Sequence, residues 1–175
     1  MAITPPSERI WWKEPVHKGE IIWVIIAFLW GVAMFFTMIW WHGFGQQNMS
    51  NEAYRIQPFQ FAEKVDAMVA THTVRQEGAF PVVKPPPGSD VYMMGRVYMW
   101  WPMLELEMGQ TYRLHLSSID LQHGFSLQPL NINIQVHPGY ESVMSITPTT
   151  SGEFGIVCNE YCGLGHHTMT GRIYV

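Results

Sequence analysis

GEFGIVCNEYCGLGHHTMTGRIYV, Gly152–Val175, is the stretch from which the rest of the chain is best read. Its two ends, GEFGIVC and GRIYV, have the short apolar texture of strands set off by glycine. Between them lies a loop that carries Cys158, Cys162, His166 and Met169. A strand, a loop and a returning strand place these side chains together at one end of a sheet. The two cysteines are the only ones in 175 residues.

The same texture continues upstream. NINIQV alternates Ile132, Ile134 and Val136 against Asn133 and Gln135. TYRLHLSS alternates Tyr112, Leu114 and Leu116 against Arg113, His115 and Ser117. VYMMGRVYMWW is an apolar run ended by Pro102, and ESVMSIT is another short segment. Successive short strands without intervening helices predict an antiparallel β-sandwich or barrel over residues 90–175. The last predicted strand runs to Val175, and no second soluble domain is expected.

Before residue 90 the character differs. FPVVKPPPGSD, Phe80–Asp90, reads as a stiff proline-rich connector. PFQFAEKVDAMVATHTV, Pro58–Val74, places Phe61, Val65, Met68 and Val69 at helical spacing and predicts a short helix. HGFGQQNMSN, following Trp41, is a polar exit segment. Ile21–Trp41 contains no ionisable residue. At ~1.5 Å per residue such a helix spans about 30 Å, the thickness of bilayer hydrocarbon. Trp11, Trp12, Trp40 and Trp41 bracket it as interfacial anchors. Arg9, Lys13 and Lys18 precede the span, and only Arg55 carries positive charge in the twenty residues after it, which predicts a cytoplasmic N-terminus. The division expected is a cytoplasmic segment 1–20, a transmembrane helix 21–42, a connector 43–89 and a β-domain 90–175. A net charge of −4 offers nothing to nucleic acid. The absence of ionisable groups inside the span speaks against proton or ion conduction through it.

His123, in IDLQHGF between two predicted strands, is expected at the same end as the cysteine loop. Two thiols, two imidazoles and a thioether are soft to intermediate donors, which suit copper or zinc rather than calcium or magnesium. One tetrahedral zinc would use both cysteines and both histidines and leave Met169 spare. Two metal ions would need both thiolates as bridges, one histidine each, and weak axial donors from Met169 and a backbone carbonyl such as that of Glu160. A disulfide is the bland alternative, but a bridge four residues apart constrains little chain and leaves His166 and Met169 unexplained. Asp120, three before His123, either orients that histidine or sits in a turn. His167 has the wrong spacing for a ligand, and His17, His42, His72, His115 and His137 form no readable cluster.

CNEYCGLGHHTM resembles the C-x-x-x-C-x-x-x-H-x-x-M loop of the dinuclear copper (CuA) domain in subunit II of haem–copper oxidases. DLQH is similar to that family's D-x-x-H segment, and NINIQVHPGY and TVRQEGAF resemble its single-helix B-type branch. The likeness covers the anchor and the region from about Thr71 to Val175. It implies an all-β cupredoxin-like Greek-key sandwich with one N-terminal transmembrane helix. It implies bridging Cys158 and Cys162, terminal His123 and His166, axial Met169 and an axial Glu160 carbonyl. In function it implies an electron-transfer subunit of a terminal oxidase. Such a subunit accepts single electrons from a soluble cytochrome c-type donor and passes them to a haem in a membrane catalytic subunit, where oxygen is reduced. Quinol-oxidising relatives lack these ligands, all of which are present here. Trp100 or Trp101 would admit electrons, and the mildly acidic soluble region would suit a basic donor. The copper domain would lie on the periplasmic or extracellular side of a bacterial or archaeal plasma membrane. The other readings are the same role in a dinuclear-copper nitric oxide reductase, a membrane-anchored copper-binding or delivery protein, and a zinc-stapled adhesion module.

Overall fold

The structure, a computed structural model, describes residues 15–45, 52–130 and 132–175. Trp11, Trp12, Arg9, Lys13 and most of the polar exit segment lie outside the described residues. The chain divides into two compact units, Met1–Gln47 and Asn48–Val175.

The first unit holds one helix, α1, Lys18–Phe44. His17 caps it, its Nδ1 accepting from the Gly19 N–H at 3.1 Å, and Glu20 lies in the first turn where the dipole favours an anion. The cap explains why the helix begins before the uncharged run at Ile21. At the other end the Gly45 N–H donates to the Trp41 carbonyl at 2.7 Å. The helix is apolar on every side and long enough to cross a membrane.

The second unit is a two-sheet sandwich with a helix on one outer face. In chain order its elements are β1 (Glu52–Arg55), α2 (Pro58–His72), β2 (Thr73–Glu77), β3 (Phe80–Val83), β4 (Asp90–Arg96), β5 (Met99–Trp101) and β6 (Met103–Glu105). There follow β7 (Tyr112–Ser118), β8 (His123–Gln128), β9 (Ile132–Val136), β10 (Tyr140–Ile146), β11 (Glu153–Cys158), a 3₁₀ turn (His166–Thr168) and β12 (Thr170–Tyr174). Among the described residues one sheet has the order β1-β10-β7-β4-β5 and the other β2-β3-β6-β12-β11-β8-β9. The facing sides enclose Trp100, Tyr112, Leu114, Leu116, Phe125, Leu104 and Ile156, all fully buried.

Four differences from the sequence reading have physical causes. The sheets are mixed rather than antiparallel, because β4 pairs with β7, and β6 with β3 and β12, in parallel. The sheets also begin before residue 90: β1, β2 and β3 belong to them, and Val82 and Val83 of the proline-rich segment are buried as β3. The alternation in β7 fails on its second face, since His115 and Ser117 are buried as well as Leu114 and Leu116. The cause is α2, whose Phe61 and Val65 are wholly buried against this sheet with Met94, Tyr92 and Trp101. Finally, His123 opens β8 rather than lying between strands.

Candidate metal centre

The β11–β12 loop begins at Cys158, the last residue of β11. It is pinned where it departs and returns: the Cys158 N–H donates to the Met169 carbonyl at 3.1 Å. Within it, the His166 N–H donates to the Gly163 carbonyl at 3.1 Å and the Met169 N–H to the His166 carbonyl at 3.2 Å, closing the 3₁₀ turn. The turn compresses the loop, so that Met169 folds inward while His167 stays outside. Cys158, Cys162 and Met169 are buried, and His166 is half-buried.

Four contacts link the donors in a chain. Cys158 Sγ lies 3.9 Å from His123 Nδ1 and 3.9 Å from Cys162 Sγ. Cys162 Sγ lies 3.7 Å from His166 Nδ1 and 3.8 Å from Met169 Sδ. The Cys158 thiol also donates to the Glu160 carbonyl at 3.3 Å. Thus Cys158, Glu160, Cys162, His166 and Met169 from the loop, and His123 from β8, converge at one rim of the sandwich. Each cysteine sulfur has one imidazole beside it.

His123 is fully buried, and its orientation is set by Asp120. The Asp120 carboxylate accepts hydrogen bonds from His123 Nε2–H at 2.8 Å, the Val97 N–H at 2.7 Å and the Leu121 N–H at 2.6 Å. Burial alone would raise the Asp120 carboxyl; the hydrogen bonds from His123 and the two backbone groups outweigh it and hold it below the ordinary carboxylate range. An ionised carboxylate only accepts, so Nε2 carries a proton, and Nδ1 is the ring nitrogen that faces the cysteines. Asp120 stands in the bend between β7 and β8, with its carboxylate against the His123 ring.

The aromatic surroundings divide sharply. Trp100 is fully buried, edge-on to the His123 ring at 6.0 Å and to Phe125 at 5.3 Å. It presents no surface to a docked protein. Trp101 points to the opposite side of the strand, against Phe80 at 6.0 Å and under Arg96 at 5.1 Å. The aromatic that meets the loop from outside is Tyr98, which the sequence reading did not single out. A Cβ on Gly165 would come within 2.3 Å of its ring, so the loop rests directly on it. The only signal was position: Tyr98 stands in the tight turn between β4 and β5, where a side chain must leave the sheet. His115, which showed no partner in sequence, sits under α2 with Nδ1 2.5 Å from Glu141 Oε1. Its Nε2 lies 3.2 Å from Asp90 Oδ1 without forming a hydrogen bond.

The donor chemistry fits a soft cation. The cysteines are free. Burial and the neighbouring Cys158 sulfur push the Cys162 thiol up to about 11. Two buried sulfurs in contact ionise together only if positive charge is supplied between them. Thiolate, imidazole and thioether together are a copper-type set.

A cytochrome c oxidase subunit 2 from Thermus thermophilus is 39% identical over 110 residues, which cover 59% of this chain and 82% of that protein. The chain belongs to the cytochrome c oxidase subunit 2 family. A probable cytochrome c oxidase subunit 2 from Streptomyces coelicolor is 35% identical over 74 residues, 42% of this chain and 23% of that protein. No protein-family model matches the chain. Among solved structures, a chain of a heme-copper terminal oxidase dimer superposes with a TM-score of 0.59 at 19% identity, covering 90% of this chain and 99% of that one. That likeness shows the cupredoxin-like fold with its N-terminal helix. As a family member the chain is a membrane-anchored subunit of an oxidoreductase complex, with a copper-type His/Cys/Cys cluster in its β-domain.

Proposed function

We propose that this oxidase subunit 2 holds a dinuclear copper centre and transfers single electrons from a soluble cytochrome c-type donor to a haem in its catalytic partner, where oxygen is reduced. The observation that carries this is the unbroken chain of donors: His123, Cys158, Cys162 and His166 in succession at 3.7–3.9 Å, with Met169 on Cys162 and the Glu160 carbonyl on Cys158. In this reading Cys158, Cys162, His123, His166, Met169 and the Glu160 carbonyl would hold the two coppers between them. Copper, when bound, supplies a redox change of one electron at a time. The chain's own residues hold the geometry still. Asp120 fixes the His123 ring, Trp100 walls it from water, and the 3₁₀ turn keeps Met169 inside. All six donors are assigned, so no position is left open for a substrate.

Of the proposed ligands with side-chain donors, His166 is the one with solvent access. The exposed Tyr161 and Leu164 stand beside it, with Tyr161 edge-on to its ring at 5.8 Å. Electrons from a docked donor therefore arrive at this rim, and buried Trp100 backs the centre from inside. With Arg9, Lys13 and Lys18 before the span in sequence and only Arg55 in the twenty residues after it, the N-terminus is cytoplasmic and the β-domain is periplasmic or extracellular.

Metal analysis and EPR of the purified full chain test the reading. Two coppers per chain sharing one unpaired electron is the expected result; zinc, or a single exchangeable copper, overturns it. Oxygen against nitric oxide consumption by the assembled complex tests the terminal acceptor, with oxygen expected.

A further inference from the structure

Between the two cysteines the chain lies across the sheet instead of looping into solvent. The Asn159 N–H donates to the Gly124 carbonyl of β8 at 3.2 Å. Only a glycine permits this approach: a Cβ at position 124 would stand 2.0 Å from Asn159 Oδ1 and 2.8 Å from the Glu160 nitrogen. Passing flat over β8, the segment reaches β9, the edge strand of the seven-stranded sheet. β9 turns Ile132 and Val136 inward and leaves Asn133 and Gln135, two residues apart, on its exposed face. Both are engaged. Asn159 Nδ2 donates to Asn133 Oδ1 at 3.1 Å, and Gln135 Nε2 donates to Glu160 Oε1 at 2.9 Å.

We infer that Asn133 and Gln135 are positioning residues: the exposed face of β9 clamps the inter-cysteine segment and aims the Glu160 carbonyl at the metal. The inference rests on the copper reading for what the carbonyl meets, but the clamp itself is a property of the metal-free chain. The orientation of that carbonyl is set by backbone rotation on either side of Glu160. Unrestrained, the peptide plane can turn its oxygen to water. Tethering Asn159 and Glu160 to neighbouring positions of a strand removes that rotation, while the Gly124 contact sets the height of the segment above the sheet. Glu160 thus works at both ends, its carbonyl toward Cys158 and its carboxylate held by Gln135. The two clamping side chains are exposed and supply no donor atom themselves, so changing them leaves the donor set intact.

The test has two arms on the full chain. In the metal-free protein, hydrogen exchange at the Asn159 amide reports opening of the segment. The N133A/Q135A double variant is expected to exchange about tenfold faster there, the joint effect of two modest hydrogen bonds, with exchange in β7 unchanged. An unaltered Asn159 rate overturns the clamp. In the copper-loaded protein, Q135A is expected to shift the sulfur-to-copper absorption and copper hyperfine splitting. The swapped variant Q135E/E160Q, which restores an amide–carboxylate hydrogen bond with the roles exchanged, is expected to return them. A spectrum unmoved by Q135A, or unrestored by the swap, overturns the aiming role. If the unmodified chain takes up no copper pair, the proposed function fails instead, and the exchange arm alone decides the clamp.

Discussion

Asp120 shows how one side chain can tie a candidate ligand to the fold. It accepts hydrogen bonds from His123, from Val97 in the β4–β5 turn and from Leu121 beside it. Replacing it with alanine frees the His123 ring and leaves the Val97 N–H unpaired. Partners of this kind typically cost 10–100-fold in metal affinity when removed. Asp120→Ala is accordingly expected to weaken copper binding by about 10–100-fold in competition with a chelator. Asp120→Asn keeps one carbonyl acceptor and loses less; equal affinity in the alanine variant and the unmodified chain contradicts the role. At this scale the sequence showed which residue types were present and how far apart they stood. The spacing from Cys158 to Met169 was legible because a single loop contains it. Which of Tyr98, Trp100 and Trp101 meets the centre was not, because a two-residue turn redirects the strand and period-two alternation stops there.

Elements are joined by charges of very unequal worth. Beneath α2, His115 and Glu141 are both buried, whereas Lys64, which pairs with Glu141 at 3.2 Å, is substantially exposed. Removing one partner of a buried hydrogen-bonded pair leaves the other unsatisfied and costs about 1–3 kcal/mol, while an exposed partner contributes about 0–1 kcal/mol. Glu141→Ala should therefore lower the unfolding free energy several times more than Lys64→Ala, read from denaturant midpoints; equal losses would show that the pair is solvated. In the seven-stranded sheet, Glu105 of β6 pairs with Arg75 of β2 and with Lys84. The Arg75 hydrogen bond, aided by Lys84, holds the Glu105 carboxyl below its ordinary value of 4.5. A depressed carboxylate stabilises the fold above its unfolded value. That contribution fades as pH falls below 4.5 and is gone below the folded value. Thermal unfolding across this range should show a shallower acid loss in Glu105→Gln; parallel curves for the two proteins exclude the ion pair as a source of the loss. Helix α2 itself was legible from Phe61, Val65 and Met68 at helical spacing. Its docking face was not, because nothing local tells a strand that a helix will cover its polar side, as α2 covers His115 and Ser117.

For the whole molecule, Asn48–Val175 is a compact unit with its own core. A chain cut before Asn48 is expected to stay soluble, keep the melting behaviour of the β-domain and bind copper with the same spectrum, while losing membrane association. Aggregation, or loss of the copper spectrum, would show that the helix-bearing unit is needed for the fold. The sequence by itself determined the apolar span, the all-β character of the C-terminal half and the donor inventory of the Cys158–Met169 loop. Each is written in local composition or in a period of two, and so survives without knowledge of distant contacts. Tertiary structure alone decided that β1–β3 join the sheets, that the strand pairing is mixed, and that His123 meets Cys158 from 35 positions away. It likewise decided that Gly124 opens a path to β9. These depend on which strands become neighbours, and that follows from burying the apolar faces of the whole sandwich together, a condition no single segment carries.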